Sequence, residues 1–189
     1  MENNILHIKN VVCRRCMMSV REILTGLGIP FKQVSLGEAV LERPLKTAQM
    51  EKLQEEFKKV GFEVIVGKNE RVVNQIKSIV IDVVYRNKDF RNKNLSEILG
   101  RRLHFDYSHL SSVFSKIEGR SIQNFQHDIK IERIKELLEY DELSISEIGQ
   151  EMGYSSAAYL SAQFKKATGM TPSEYRFRHF NGRKPIDTV

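Results

Sequence analysis

The second half of the chain carries one small pattern twice. Leu99-Gly100, Leu103, Leu110, Phe114, Lys116, Gly119 and Phe125 recur as Ile148-Gly149, Met152, Leu160, Phe164, Lys166, Gly169 and Tyr175, 49 residues on before a tight turn and 50 after it. A small residue on a short helix, a turn, and a second helix closed by glycine form a helix-turn-helix unit, and here there are two. The duplication fixes an all-α fold for this half.

Local signals punctuate both copies. Asn94 with Glu97, and Ser144 with Glu147, have the spacing of capping boxes. Gly100 lies mid-helix, where glycine costs about 1 kcal/mol against alanine, which points to a close approach of the following helix. Asp106 is placed to cap a helix over Tyr107 to Glu118, closed by Gly119. Its inward stripe is Leu110, Val113, Phe114 and Ile117, and its outward stripe Ser108, Ser111, Ser112 and Ser115, with His109 alongside. A linker helix follows over Ile122 to Tyr140, with Phe125, Ile129, Ile134, Leu137 and Leu138 apolar. In the second copy Gly153 occupies the turn, and Ser155 or Ser156 caps a helix reaching Thr168. There Leu160, Phe164 and Ala167 face in, and Ala157, Ala158, Ser161, Ala162 and Lys165 face out. Thr171-Pro172-Ser173-Glu174 opens one more helix with an N-cap, a proline at the first position and glutamate at the third. Ahead of the repeat, Glu70 to Tyr85 is a helix with a wide valine and isoleucine face, and Arg86 to Asn94 is a polar loop.

The signature from Ser144-Ile145-Ser146-Glu147-Ile148-Gly149 through Gly153-Tyr154, then Phe164-Lys165-Lys166-Ala167-Thr168-Gly169-Met170-Thr171-Pro172-Ser173-Glu174-Tyr175-Arg176, resembles that of AraC/XylS-type transcription regulators over residues 72 to 178. The resemblance implies double-stranded DNA as partner, with the two recognition helices entering successive major grooves about 34 Å apart. It also implies RNA polymerase as a second partner, and it leaves a homodimer optional because one chain carries paired units. The base-reading positions map to Ser108, Ser111 and Ser112, and to Ala157, Ala158, Ser161 and Ala162, with His109 and Ser115 beside them. Lys116, Lys165, Lys166, Arg176 and Arg178 are phosphate candidates. Neither outward stripe has an Arg, Asn or Gln for bidentate base contacts, so readout leans on thymine methyls, water, shape and phosphates. His104 stands where the first turn usually has glycine.

The first 67 residues read differently. Ile5 to Val12 has strand character, with Leu6 and Ile8 on one face and His7 and Lys9 on the other. A helix follows Cys13-Arg14-Arg15-Cys16 and ends at Gly28. Phe31 to Leu36 and Ala39 to Leu41 flank a Gly37-Glu38 hairpin turn. A second helix over Lys46 to Val60 buries Met50, Leu53, Phe57 and Val60, and Phe62 to Val66 closes as a strand. Strand, helix, strand, strand, helix, strand is the order of a ferredoxin-like sandwich. With the Cys-x-x-Cys between first strand and first helix, and the closing Gly61-Phe62-Glu63-Val64, residues 4 to 66 resemble the heavy-metal-associated domain. That family has Gly-Met-x-Cys where this chain has Asn10-Val11-Val12-Cys13.

Cys13 and Cys16 are the only cysteines. Cys16 lies near a helix N-terminus with Arg14 and Arg15 adjacent, which favours thiolate. Two thiolates satisfy a near-linear soft ion, Cu(I) first, with Zn(II), Cd(II) and Hg(II) behind; tetrahedral Zn(II) would need His7, a second chain or water. Met17 and Met18 read as core and His7 as surface. A Cys13–Cys16 disulfide switch is the competing reading, with a disulfide oxidoreductase or a metallochaperone further off. Net charge is +6, split as +4 from Lys68 onward and +2 before it, which suits a polyanion without requiring one. No apolar run approaches a membrane span and no signal-peptide pattern opens the chain, so the expectation is a cytoplasmic, non-enzymatic regulator. The expected layout is an α+β domain over 1–67, an all-α domain with two helix-turn-helix units over 68–180, and a tail over 181–189.

Overall fold

The computed structural model describes residues 4–85 and 94–181; the polar stretch after Tyr85 and the tail beyond Asn181 lie outside the described residues. Two compact units emerge. One joins the described residues of Met1–Asp82 to Leu95–Ser121; the other joins those of Val83–Asn94 to Ile122–Val189. The first helix-turn-helix thus packs with the N-terminal sheet, and the second with the linker helix.

In the first unit the chain runs β1 (Ile5–Lys9), α1 (Arg14–Gly26), β2 (Phe31–Ser35), β3 (Glu38–Leu41), α2 (Thr47–Lys59), β4 (Glu63–Val64) and α3 (Lys68–Tyr85), the last three residues of which belong to the second unit. The four strands pair antiparallel in the order β2-β3-β1-β4. Ile8, Val20, Leu24, Leu53 and Phe57 are fully buried in the core that α1 and α2 form on this sheet. Phe57 and Phe62 meet edge to face at 5.9 Å, which orients the last strand against α2.

Several local expectations shift by a residue or a face. The hairpin turn is Leu36-Gly37, with Gly37 at φ +75°, so Glu38 begins the strand instead of sitting in the turn. Val60 is the exposed C-cap of α2, and β4 stops at Val64, leaving Val66 in solvent. Met17 is buried as expected; Met18 is exposed. His7, expected at the surface, is 9% exposed, and Leu6, His7 and Ile8 are buried consecutively. Both faces of β1 are covered, because α3 lies against it: Asn74 Nδ2 donates to Ile8 O at 3.2 Å and to Gly37 O at 3.0 Å.

The helix-turn-helix elements follow as α4 (Leu95–Leu103), α5 (Tyr107–Glu118), α6 (Ile122–Tyr140), α7 (Ile145–Glu151), α8 (Ala157–Thr168) and α9 (Pro172–Asn181). In the first unit, ion pairs Lys77–Glu118 at 2.7 Å and Arg102–Asp82 at 3.1 Å tie α3 to α5 and α4. In the second unit, Ile134, Leu138, Ile148, Leu160 and Phe164 form a core with α6 at its centre. Tyr175 closes it from α9, edge-on to Phe164 at 5.5 Å and donating to Glu139 at 2.9 Å; burial and that carboxylate push its pKa up to about 12. Among the described residues no helix is long and apolar enough to cross a membrane.

Candidate nucleic-acid interface and thiol pair

The helices of both pairs are built by their own short-range chemistry. Ser144 and Glu147 close a reciprocal box, the glutamate accepting from the Ser144 N–H at 2.8 Å and the serine from the Glu147 N–H at 3.2 Å. Of the two serines offered as the cap of α8, Ser156 takes the role, accepting from the Tyr159 N–H at 3.1 Å. Thr171 and Glu174 repeat the box at α9. Asp106 occupies the N-cap of α5 without a side-chain bond. Gly119 and Gly169 end α5 and α8 at φ +67° and +83°. His104 sits at φ +57° in the first turn, where the second turn has Gly153 at +71°: the histidine adopts the left-handed conformation that glycine supplies in the other copy.

The two copies match in burial as well as in sequence. From Tyr107 to Gly119 and from Ala157 to Gly169, every position has the same burial class as its counterpart 50 residues away. Leu110 and Phe114 are fully buried, as are Leu160 and Phe164. The exposed face is Ser108, His109, Ser112, Ser115 and Lys116 on α5, and Ala158, Tyr159, Ala162, Lys165 and Lys166 on α8. These positions follow the i, i+4, i+7 spacing of one helix face.

Tyr159, 53% exposed, was absent from the sequence-based set. Its equivalence to His109 at an offset of 50 is the signal that finds it. His109 in turn lies 5.3 Å from the ring of Phe105. Ser111, Ala157 and Ser161, expected to face out, are half-buried, and the Ser161 hydroxyl donates to Ala157 O at 2.8 Å. Ile117 and Ala167, expected to face in, are exposed. Both lie in the last turn of their helices. Ile117 there borders a cleft with Val64, Val73 and Lys77. Arg176, offered as a phosphate contact, is held by the fold: it donates to Leu143 O at 2.6 Å and pairs with Asp141 at 3.1 Å. Gly100 does not mark a close approach, since a Cβ there would meet Phe105 O at an ordinary 3.5 Å.

The thiol pair lies at the start of α1. Asn10 holds φ +70°, a conformation asparagine tolerates, and its amide donates to Gly61 O at 2.8 Å. Val11 is buried behind the loop. Cys13 is exposed and is itself the N-cap, Cys16 is half-buried, and their sulfurs stand 3.2 Å apart. Cys13 is the thiol whose surroundings favour the thiolate. The Cys16 N–H, then the Cys16 thiol, then the Arg15 N–H and charge hold its pKa below the ordinary thiol value. Among the described residues no group of three or more His, Cys, Asp or Glu could hold a metal ion, so His7 does not complete a tetrahedral set.

Two capped helix pairs with matching buried and exposed positions define a helix-turn-helix domain. Residues 99–178 match the family described as a helix-turn-helix domain. Among curated proteins, the chain is 23% identical to the HTH-type transcriptional regulator YtdP of Bacillus subtilis over 88% of its own length and 22% of that protein. It is 33% identical to an HTH-type transcriptional regulator of Staphylococcus aureus, over 57% of this chain and 14% of that one. The Msm operon regulatory protein of Streptococcus mutans is 28% identical over 66% and 42%. The chain thus spans less than half the length of these relatives. Among solved structures, the C-terminal domain of AraT, a response regulator from Geobacillus stearothermophilus, is 26% identical with a TM-score of 0.50, over 65% of this chain and 94% of that one. An AraC-type regulator from Chromobacterium violaceum shares the fold at 17% identity and a TM-score of 0.51, over 58% and 93%. Residues 99–178 of this chain form a helix-turn-helix domain, with the fold that the AraC-type regulator shares.

Proposed function

We propose that the protein is a DNA-binding transcription regulator of the AraC type whose N-terminal domain, a ferredoxin-like module akin to heavy-metal-associated domains, responds to a soft metal ion at Cys13 and Cys16. The observation that carries the DNA-binding reading is the position-by-position agreement of the two reading helices in burial, around side chains that share one buried core pattern. Two copies that bury equivalent positions and expose equivalent positions are suited to the same kind of surface. Lysines at equivalent exposed positions, Lys116 and Lys166, supply phosphate contacts.

For the signal, an exposed thiolate-prone Cys13 beside Cys16 provides two soft donors, which would hold Cu(I) or a similar ion and supply a charge change at the start of α1. A route to the DNA domain exists within one unit, since α3 is bonded both to the sheet through Asn74 and to α5 through Lys77–Glu118. Sulfurs 3.2 Å apart also favour a second reading, in which oxidation to a disulfide is the signal. Fluorescence anisotropy with duplexes selected from a random library tests the whole. Retention of duplex by reduced protein, with an affinity altered by Cu(I) and not in Cys13→Ser/Cys16→Ser, supports the metal reading. An affinity that responds to oxidation while the reduced protein holds no stoichiometric metal supports the thiol switch. Absence of duplex binding at low salt overturns both.

A further inference from the structure

The two reading helices share a geometry and differ in chemistry. On α5 the exposed face carries hydroxyls at Ser108, Ser112 and Ser115, with His109 and Lys116. On α8 the same positions hold Ala158, Ala162, Lys165, Tyr159 and Lys166. Ser161, the one hydroxyl-bearing serine or threonine between Ala157 and Lys166, spends its proton on Ala157 O and is half-buried.

A base edge in the major groove offers donors, acceptors or, at thymine alone, a methyl group. Ala158 and Ala162 lie one turn apart and can meet only the methyl. Tyr159 beside them adds an exposed aromatic ring whose apolar face extends that contact and whose single phenol O–H lies at the far end of the ring, and Lys165 and Lys166 continue the face with cations for the flanking phosphates. Resting on the DNA-binding reading above, we infer that α8 recognises thymine methyl groups, so that the segment under α8 is selected by apolar contact while the segment under α5 is selected through hydroxyl hydrogen bonds.

The test uses the full, reduced chain and duplexes enriched from a random library. Each thymine is replaced in turn by deoxyuridine, which removes the methyl and leaves base pairing intact. Burial of one methyl corresponds to roughly threefold to fivefold in affinity, so a cluster of replacements in one segment each weakens binding by about that factor. In Ala158→Ser/Ala162→Ser, which gives α8 the hydroxyls of α5, sensitivity in that cluster falls to within about twofold of none while duplex binding persists. Two results overturn the inference and leave DNA binding standing: affinities indifferent to deoxyuridine at every thymine, or a deoxyuridine effect that the double variant does not change. Failure to retain any duplex overturns the DNA-binding reading itself.

Discussion

Asn74→Ala probes whether α3 is docked on the sheet through its one buried amide. Asn74 is 8% exposed in a helix that otherwise buries Val72, Val73, Ile76, Ile79 and Val80. Its amide supplies Ile8 O at 3.2 Å and Gly37 O at 3.0 Å. A neutral intramolecular hydrogen bond contributes about 1 kcal/mol net, so the two together contribute about 2 kcal/mol. Alanine returns roughly 0.5 kcal/mol through its better helix propensity. Gly37 O keeps the Ile8 N–H at 2.8 Å, so only Ile8 O loses a partner in full. The expected loss is about 1.5 kcal/mol, which corresponds to amide exchange at Ile8 faster by roughly tenfold under conditions where reclosing outpaces exchange. Hydrogen exchange by NMR reads this directly, with Gln54→Ala on the exposed side of α2 as a control expected within about 0.5 kcal/mol of the parent. An Ile8 amide that exchanges at the parent rate in Asn74→Ala would refute the docking of α3 on β1.

Three further outcomes follow from single residues. His104→Gly should stabilise the first helix-turn-helix by about 1 kcal/mol, because φ +57° strains a β-carbon-bearing residue, and urea unfolding that shows no gain would contradict the strain. Cys13 should alkylate with iodoacetamide at neutral pH faster than a free thiol, and more slowly in Cys16→Ser; equal rates for Cys13 and Cys16 across the pH range would count against a depressed Cys13 pKa. Burial, and then Arg71, hold the His7 pKa below 6.5, so the unfolded chain binds the proton first and stability declines as pH falls through about 6.5. Glu38, which faces His7 at 3.8 Å, has its pKa raised by burial and contributes the opposite slope at lower pH, from about 4.5 upward. His7→Gln should remove the first slope in chemical unfolding and leave the second.

What the sequence made legible is what is encoded within a turn or two of chain. The caps at Ser144 and Thr171, the glycines ending α5 and α8 and the buried phenylalanines were readable because side chain and backbone meet within three or four residues. The order of strands and helices over the first 67 residues was readable from periodicity for the same reason. His7 and Asn74 were not, since alternation along β1 presumes one solvated face, and only the return of α3 from more than 60 residues away covers it. Tyr159 was missed because it was placed on neither stripe of α8, and its equivalence to His109 shows only when the two copies are aligned at an offset of 50. Arg176 shows the converse: a cation on a basic chain suggested phosphate, but Asp141 and the Leu143 carbonyl, brought near by the α6–α7 turn, hold it. The position of His104 was legible, and its consequence was not, because a positive φ on histidine is visible only in the backbone.

The balance between phosphate and base contacts can be measured on the lysines of the two faces. Lys116, Lys165 and Lys166 are all exposed, and Lys116 and Lys166 hold equivalent positions on α5 and α8. A lysine that neutralises a phosphate releases about one counterion, changing the slope of log affinity against log salt by roughly 0.9. Lys116→Ala and Lys166→Ala should therefore each flatten that slope by about 1 and weaken binding to selected and unrelated duplexes alike. The serine and alanine positions carry no charge, so their substitution should alter sequence preference and leave the slope intact. If Lys166→Ala instead lowers affinity only for selected duplexes at an unchanged slope, the lysine reads a base and the division of labour across this face is reversed. If neither lysine moves the slope, the equivalent exposed faces are not the surfaces that meet DNA, since a cation at both equivalent positions is the one charged feature that the two faces share.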